Sequence, residues 1–273
     1  MSLKKKLLLG AAAVVLIIAA ACGFYINDYY HAGEEAVLAA GEAAADYTSQ
    51  QDGDTLVFLP EGTDGTVLDG SGPDDAGLIF YPGGKVEYTA YAPLMEAFAE
   101  RGVLCILVEM PGNLAVLDVN AADGYREEFP EIEHWYVGGH SLGGSMAASY
   151  AAKHAGDLDG LLLLAAYSTA DLNGTGLDVL SVYGSEDGVL NMSKYDEYRQ
   201  NLPEGEPGDG DGTAGGTREL LIEGGNHAGF GDYGAQEGDG EAAVNGEKQR
   251  EVTAEAFMEI LRGGETRTEI QEE

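Results

Sequence analysis

The sequence predicts an α/β fold, with a doubly wound, mostly parallel sheet of about eight strands. Short apolar runs alternate with helical segments from about residue 55 to residue 262, and this alternation is typical of βαβ units. The run at residues 103–109 is almost continuously apolar, as expected for a strand that is covered on both faces. A third indication is the strand, glycine-rich turn and small-residue helix at residues 135–152.

Each predicted strand or helix rests on a local pattern in the sequence. The predicted strands are residues 55–59, 66–68, 78–81, 103–109, 135–138, 161–166, 178–183 and 219–222, and the first two are expected to form a hairpin. The predicted helices are residues 88–101, 113–128, the segment from residue 143 onward, 191–202 and 248–262. Residues 203–216 are rich in glycine and acidic residues, which predicts a surface loop.

The N-terminal segment, residues 1–26, is predicted to anchor the chain in a membrane. Three lysines at residues 4–6 precede twenty uncharged residues, 7–26, which as a helix would span about 30 Å, the thickness of a bilayer core. The lysines predict that this end stays in the cytoplasm. Two alternatives remain open, namely cleavage of a secretory signal after Ala21 and lipidation at Cys22. All three place the globular part outside the cytoplasm.

Residues 27–54 contain much Ala, Glu and Gln and are interpreted as a juxtamembrane stalk with a short helix at residues 34–44. The globular domain is expected at residues 55–262, followed by a polar tail at residues 263–273. This domain is long enough to bury a sizeable core.

Composition narrows the possible partners. The chain has 14 Lys and Arg against 48 Asp and Glu, a net charge of −34. This charge disfavours nucleic acid and anionic lipid as partners and favours neutral or cationic ligands. The two cysteines, Cys22 and Cys105, are not expected to pair, and the sequence has no HExxH or CxxC motif. No metal and no cofactor is predicted.

Ser141 is the candidate nucleophile. It lies between Gly139 and Gly143 in a G-x-S-x-G pattern, after a predicted strand and before a predicted helix. A serine at such a corner has a strained backbone, and the two glycines lack the Cβ atoms that would obstruct the turn. The helix N-terminus supplies free N–H groups and a partial positive charge.

A serine hydroxyl needs a base to become a nucleophile, and His227 is the candidate. It follows the last predicted strand, so it should emerge at the same sheet edge as Ser141. The other four histidines are less suited: His31 lies in the predicted stalk, His134 and His154 should each lie about 20 Å from the serine, and His140 is expected to point away from it.

The acid that orients the base is expected in the loop after the strand at residues 178–183. Asp187 fits this position, and the neighbouring Glu186 stays open as an alternative. The resulting chain order is Ser, Asp, His, which is the order found with a serine elbow on an α/β sheet.

Two backbone N–H groups are expected to stabilise a developing oxyanion. Leu142, directly after the serine, supplies one of them. The other should come from the glycine-rich loop after the strand at residues 78–81, where the sequence leaves Gly83, Gly84 and Lys85 open.

Taken together, Gly139–Gly143, the Tyr-Pro-Gly-Gly segment at residues 81–84, residues 184–187 and residues 225–227 resemble the α/β-hydrolase fold family. The chain is most similar to its compact bacterial esterase-like and dienelactone-hydrolase-like branch, over residues 55–262. The resemblance implies a serine hydrolase that cleaves a carboxylic ester, either a small molecule or one presented on a surface. The absence of a long insertion after Leu164 implies little or no cap domain. An acyltransferase using the same residues, or a non-catalytic surface binding protein of this fold, are the alternatives.

Overall fold

The computed structural model describes residues 28–41, 47–52, 55–60, 76–208 and 215–263, together with some separate residues before Asp28. In these ranges eight strands form one sheet in the order β1-β2-β4-β3-β5-β6-β7-β8. Strands β1 to β8 are Tyr47–Asp52, Thr55–Pro60, Ala76–Tyr81, Leu104–Val108, His134–His140, Gly160–Leu164, Asp178–Gly184 and Thr217–Ile222. Strands β3 to β8 are parallel, and β1 and β2 are antiparallel to their neighbours. The predicted doubly wound, mostly parallel α/β sheet is therefore confirmed.

Helices cover both faces of the sheet. The α-helices α1 to α6 are Glu34–Gly41, Ala92–Ala99, Tyr125–Glu128, Leu142–His154, Met192–Tyr198 and Gly246–Leu261. One apolar core lies between the sheet and helices α2 and α6, and the rings of Phe98, Tyr136 and Phe257 meet edge to face within it. A second core on the opposite face includes Trp135 and the small side chains of α4. Each face of the central strands is thus buried, which explains their apolar sequences.

The connections differ from the sequence prediction in one long segment. Residues 113–128 were expected to be mostly helical, but they contain the 3₁₀ turn Ala115–Leu117 and only the single helical turn α3. Gly112 and Asn113 have positive φ angles of 59° and 55°, and this left-handed backbone prevents a helix from starting there. The connection between β6 and β7, residues 165–177, contains no helix, so the described part of the chain has no large cap at this edge.

The predicted hairpin is also corrected. Strand β2 pairs antiparallel with β1, which lies within the segment interpreted as a stalk. The expected partner strand at residues 66–68 lies outside the described residues. The sequence of β1, YTSQQD, has no aliphatic residue, so no hydrophobic pattern predicts this strand. It can form without one because an edge strand is held mainly by its backbone hydrogen bonds.

The segment predicted as a stalk lies on the domain. We call residues 28–36 the N-terminal strap. Tyr30 forms a parallel bridge with Val86, and Ala36 and Ala39 are buried. Asp232 accepts hydrogen bonds from two strap amides. The Gly33 amide donates to its backbone oxygen at 2.7 Å, and the Ala36 amide donates to its Oδ2 atom at 2.9 Å. The small alanine side chains allow the strap and α1 to approach the core closely.

The predicted anchor at residues 1–26 lies largely outside the described residues. Among the residues that are described, none belongs to a helix long and apolar enough to cross a bilayer.

Candidate active site

Ser141 occupies a sharp turn between β5 and α4. Its backbone has φ 52° and ψ −118°, a conformation that a non-glycine residue adopts only under strain. A Cβ atom on Gly139 would lie 2.6 Å from the Tyr81 oxygen, and one on Gly143 would lie 2.2 Å from it. The turn therefore requires both glycines of the G-x-S-x-G pattern, because the end of β3 packs directly against it.

Strained backbone is concentrated at this edge of the sheet. Among the described residues, the non-glycine residues with positive φ are Lys85, Asn113, Ser141 and Ala165. They follow strands β3, β4, β5 and β6, respectively, at the carboxyl ends of these strands. Such strain is found preferentially at functional sites, and ligands of open α/β sheets bind outside the carboxyl ends of the strands.

His227 and Asp187 meet at the same edge. The His227 Nδ1 atom lies 2.9 Å from the Asp187 Oδ2 atom, and both side chains are 1% exposed. The other carboxylate oxygen of Asp187 accepts hydrogen bonds from the amides of Val189 and Leu190, at 2.9 and 2.7 Å. An ionised carboxylate only accepts, so the imidazole hydrogen is on Nδ1. The Nε2 atom is buried and makes no hydrogen bond within the described chain, so it is the available base.

The carboxyl ends of β7 and β8 bring these two residues together. A Cβ atom on Gly184 would lie 2.1 Å from the Gly225 oxygen, so the two backbones touch where the acid loop leaves the sheet. Glu186, the alternative acid, is exposed and accepts a hydrogen bond from Ser185 rather than from His227. Of the two carboxylates, only Asp187 contacts the imidazole within the described residues.

The candidate oxyanion donors differ in whether their N–H groups are free. The Gly83 amide donates to the Tyr91 hydroxyl at 3.1 Å, and the Lys85 amide donates to the Asn113 oxygen at 2.8 Å. The amides of Gly84 and Leu142 have no hydrogen-bond partner among the described residues.

Gly84 and Leu142 are also neighbours, because a Cβ atom on Gly84 would lie 2.9 Å from Leu142 Cδ2. Gly84 therefore packs against the residue that follows Ser141, and both residues carry an N–H group without a partner among the described residues, the kind of donor that an oxyanion site requires.

His140 does not point away from the site. Its ring lies 4.4 Å from the ring of His227, measured between centroids, and its Nδ1 atom lies 2.7 Å from the Tyr91 hydroxyl. Burial lowers the pKa of His140 well below its usual value, and the adjacent His227 lowers it further. His140 is therefore a neutral ring that packs against the candidate base. Sequence reasoning missed this role and that of Tyr91, because neither spacing nor composition signals a contact between residues 91 and 140.

The remaining histidines lie elsewhere. His31 is exposed in the N-terminal strap near Glu87. His134 begins β5 at the opposite edge of the sheet and contacts Asp159, and His154 ends α4 and stacks on Tyr150. The places of His134 and His154 agree with the reasons for which the sequence analysis set them aside, whereas His31 lies on the domain and not in a stalk.

Comparisons with known proteins agree with this fold. The sequence profile described as "Alpha/beta hydrolase family" matches residues 77–251. No curated protein matches the chain in sequence. Among solved structures, the chain is similar to Est1E from Butyrivibrio proteoclasticus, with 14% identity and a TM-score of 0.53 over 80% of this chain and 100% of that one.

Two further structures are similar. One is a predicted CIB-like hydrolase from Thermoplasma acidophilum, with 15% identity and a TM-score of 0.50 over 78% of this chain and 99% of that one. The other is Est1E with bound ferulic acid, with 12% identity and a TM-score of 0.53 over 79% and 99% of the two chains. At these identities the likeness concerns the fold alone.

Proposed function

Because the chain belongs to the alpha/beta hydrolase family, we propose that it is a serine hydrolase that cleaves carboxylic esters through Ser141, His227 and Asp187. One observation carries the proposal: a buried imidazole is held by a carboxylate on Nδ1, while its Nε2 atom is unpaired. This ring packs at 4.4 Å between centroids, tilted by 54°, against His140, the residue before the strained serine, which brings the candidate base close to the candidate nucleophile.

In the first half of the reaction, Ser141 Oγ attacks the ester carbonyl carbon as His227 Nε2 takes the hydroxyl proton. The imidazolium that forms carries its charge next to the Asp187 carboxylate, which stabilises it. The tetrahedral intermediate then collapses, the bond to the leaving oxygen breaks, and His227 gives the proton to the departing alcohol. The product of this half-reaction is an acyl-serine.

The oxyanion of the tetrahedral intermediate accepts hydrogen bonds from the amides of Gly84 and Leu142. This assignment is favoured because the Gly83 and Lys85 amides already donate to other groups. The amide at the N-terminus of α4 also adds the positive end of the helix dipole. Loss of one such donor typically lowers turnover about 10²- to 10³-fold.

In the second half, His227 removes a proton from a water molecule, which attacks the acyl carbon. A second tetrahedral intermediate collapses, Ser141 regains its proton from the imidazolium, and the carboxylic acid leaves. Each proton that leaves the serine or the water therefore passes through one nitrogen of one ring.

We propose small neutral or cationic esters as the substrate class. The short connection after β6 leaves this edge without a large cap, and the net charge of −34 disfavours anionic substrates. Ferulic acid is bound by Est1E, which makes aryl-substituted esters a reasonable first choice for a substrate panel.

Labelling with a fluorophosphonate, which phosphonylates an activated serine, tests the proposal. The full chain should label, and Ser141→Ala and His227→Ala should not. Ser149→Ala is the matched control, because its hydroxyl only donates to the Ser145 backbone oxygen on α4, and it should label like wild type. Hydrolysis of a p-nitrophenyl ester panel should follow the same order. Labelling of Ser141→Ala at the wild-type rate would exclude this serine as the nucleophile.

We further propose that residues 7–26 anchor the catalytic domain at the outer face of the cytoplasmic membrane. The proposal is supported by the twenty uncharged residues that follow three lysines. The test is fractionation of cells that express the full chain. A chain that stays in the membrane after alkaline washing and is released by detergent supports the anchor, and a shortened chain in the medium would instead indicate cleavage after Ala21.

A further inference from the structure

Asp239 links the two loops that carry the candidate acid and base. Its Oδ1 atom accepts hydrogen bonds from the amides of His227 and Gly188, each at 3.1 Å, and its Oδ2 atom accepts one from Ala228 at 2.9 Å. These donors lie 12, 51 and 11 residues from Asp239 in sequence. One carboxylate therefore holds the loop of Asp187 and the loop of His227 at the same time.

The acid loop and the segment around Asp239 are in direct backbone contact. A Cβ atom on Gly188 would lie 2.4 Å from the Gly238 oxygen, and one on Gly240 would lie 2.1 Å from the Glu186 oxygen. No side chain fits between these backbones. The carboxylate of Asp239 is thus held in a fixed place relative to the loop that follows β7.

Asp239 differs from an ordinary turn residue. A local turn would need only its hydrogen bond with the next amide, that of Gly240, at 2.9 Å. Gln249 of α6 also fixes the base loop, since it accepts from the Asn226 amide and donates to the Asn226 oxygen. Neither contact reaches the acid loop, so among these groups only the Asp239 carboxylate joins the two.

We propose that Asp239 is a positioning residue that fixes the imidazole of His227 against Asp187, an inference that rests on the proposed serine hydrolase function. The His227 amide donates a hydrogen bond to the Asp239 carboxylate, so a shift of this carboxylate would also shift His227 and its imidazole. A misplacement of about 1 Å in a catalytic group can cost about 10²-fold in rate.

Two substitutions separate the contributions. In Asp239→Asn the Oδ1 atom can still accept from His227 and Gly188, but the amide group cannot accept from Ala228. In Asp239→Ala all the hydrogen bonds are lost. We expect kcat to fall about tenfold for the asparagine and about 10²-fold for the alanine variant, with KM nearly unchanged in both, since Asp239 does not contact the substrate.

The matched control is Asp159→Asn, at the opposite edge of the sheet. That carboxylate accepts a backbone hydrogen bond from Trp135 at 2.8 Å through one oxygen and contacts His134 Nδ1 at 3.2 Å through the other, so asparagine removes one of two acceptor oxygens there, as it does at Asp239. We expect Asp159→Asn to lower the unfolding midpoint and leave kcat unchanged. If the Asp239 variants lower the unfolding midpoint in the same way and keep wild-type kcat, Asp239 is only structural and the proposal is overturned.

A readout independent of turnover is the downfield ¹H NMR signal of the His227 Nδ1 hydrogen bonded to Asp187. It should be present in the wild type and in Asp159→Asn, weaker in Asp239→Asn and absent in Asp239→Ala. If the wild type proves inactive, the proposed function fails, while this signal still decides whether Asp239 positions the ring. If the alanine variant does not fold, wild-type signal and kcat in Asp239→Asn overturn the proposal.

Discussion

Replacing Asp187 with asparagine should abolish most of the activity while leaving the fold intact. The Oδ1 atom of the new side chain can keep the hydrogen bonds from the Val189 and Leu190 amides. Its NH₂ group then faces His227 Nδ1 in place of a carboxylate oxygen. The imidazole can retain a hydrogen bond only by accepting on Nδ1, which moves its own hydrogen to Nε2. The Nε2 atom, the proposed base, becomes a donor and can no longer take the serine proton.

The magnitude follows from this change of tautomer. The equivalent change in a serine protease lowers kcat about 10⁴-fold, which corresponds to about 5.5 kcal/mol in activation free energy. The cost in stability should be much smaller, about 1 kcal/mol, because the number of hydrogen bonds is preserved. Asp187→Ala would instead leave three donors unsatisfied at a site that is 1% exposed, at about 1–3 kcal/mol for each. The asparagine variant is therefore the informative one.

The assay compares the rate of fluorophosphonate labelling with the free energy of unfolding in urea for the same preparations. Glu186→Gln is the matched control, since its side chain lies one residue away and does not contact His227. We expect wild-type labelling from this control. Labelling of Asp187→Asn within tenfold of the wild-type rate, or a larger loss in Glu186→Gln, would refute the assignment of the acid.

Three further outcomes are expected. Burial lowers the pKa of His140, so below about pH 6.5 the unfolded state binds a proton that His140 does not take up in the folded state. The unfolding free energy should therefore fall by about 1.4 kcal/mol for each pH unit below this value. Urea titrations at several pH values should show a flatter pH profile for His140→Gln. Tyr91→Phe should lower the unfolding free energy by about 1–3 kcal/mol for each of the two buried groups that hydrogen-bond to the Tyr91 hydroxyl and lose this partner. Tyr198→Phe, on a half-buried ring stacked on another tyrosine, should change the unfolding free energy by less than about 0.5 kcal/mol. A chain that begins at residue 42 should be at least about 2 kcal/mol less stable than one that begins at residue 28, since the strap hydrogen bonds that it loses include four at the amides of Tyr30, Gly33 and Ala36 and the backbone oxygen of Tyr30, worth about 0.5–1.5 kcal/mol each. Equal melting curves would contradict this.

Much of the fold could be predicted because its signals are local. The central parallel strands are continuous apolar runs. The turn at Ser141 is indicated by two glycines, which are required there because β3 packs against the turn. The meeting of Asp187 and His227 could also be predicted, because each follows a parallel strand and such strands end at one edge. What the sequence could give was therefore the order of the elements and the edge at which they meet.

The choice among Gly83, Gly84 and Lys85 could not be made from the sequence. It depends on which amide is already paired, and the partners are a hydroxyl on Tyr91 and the backbone oxygen of Asn113 in another loop. The N-terminal strap was missed for a related reason. Its contacts are backbone hydrogen bonds, polar side-chain contacts and the buried Ala36, which produce no hydrophobic periodicity. Contacts of this kind become visible only when both partners have coordinates.

The position of His227 results from polar contacts rather than from regular structure. The longest regular element in the loop after β8 is the 3₁₀ turn Ala228–Phe230. It is held by Asp239 from within, by Gln249 from α6 and, through Asp232, by the N-terminal strap. Each hydrogen bond contributes only about 0.5–1.5 kcal/mol, so the base depends on several weak contacts made by segments distant in sequence. Changes in the strap or at Asp239 should therefore lower activity before they unfold the domain.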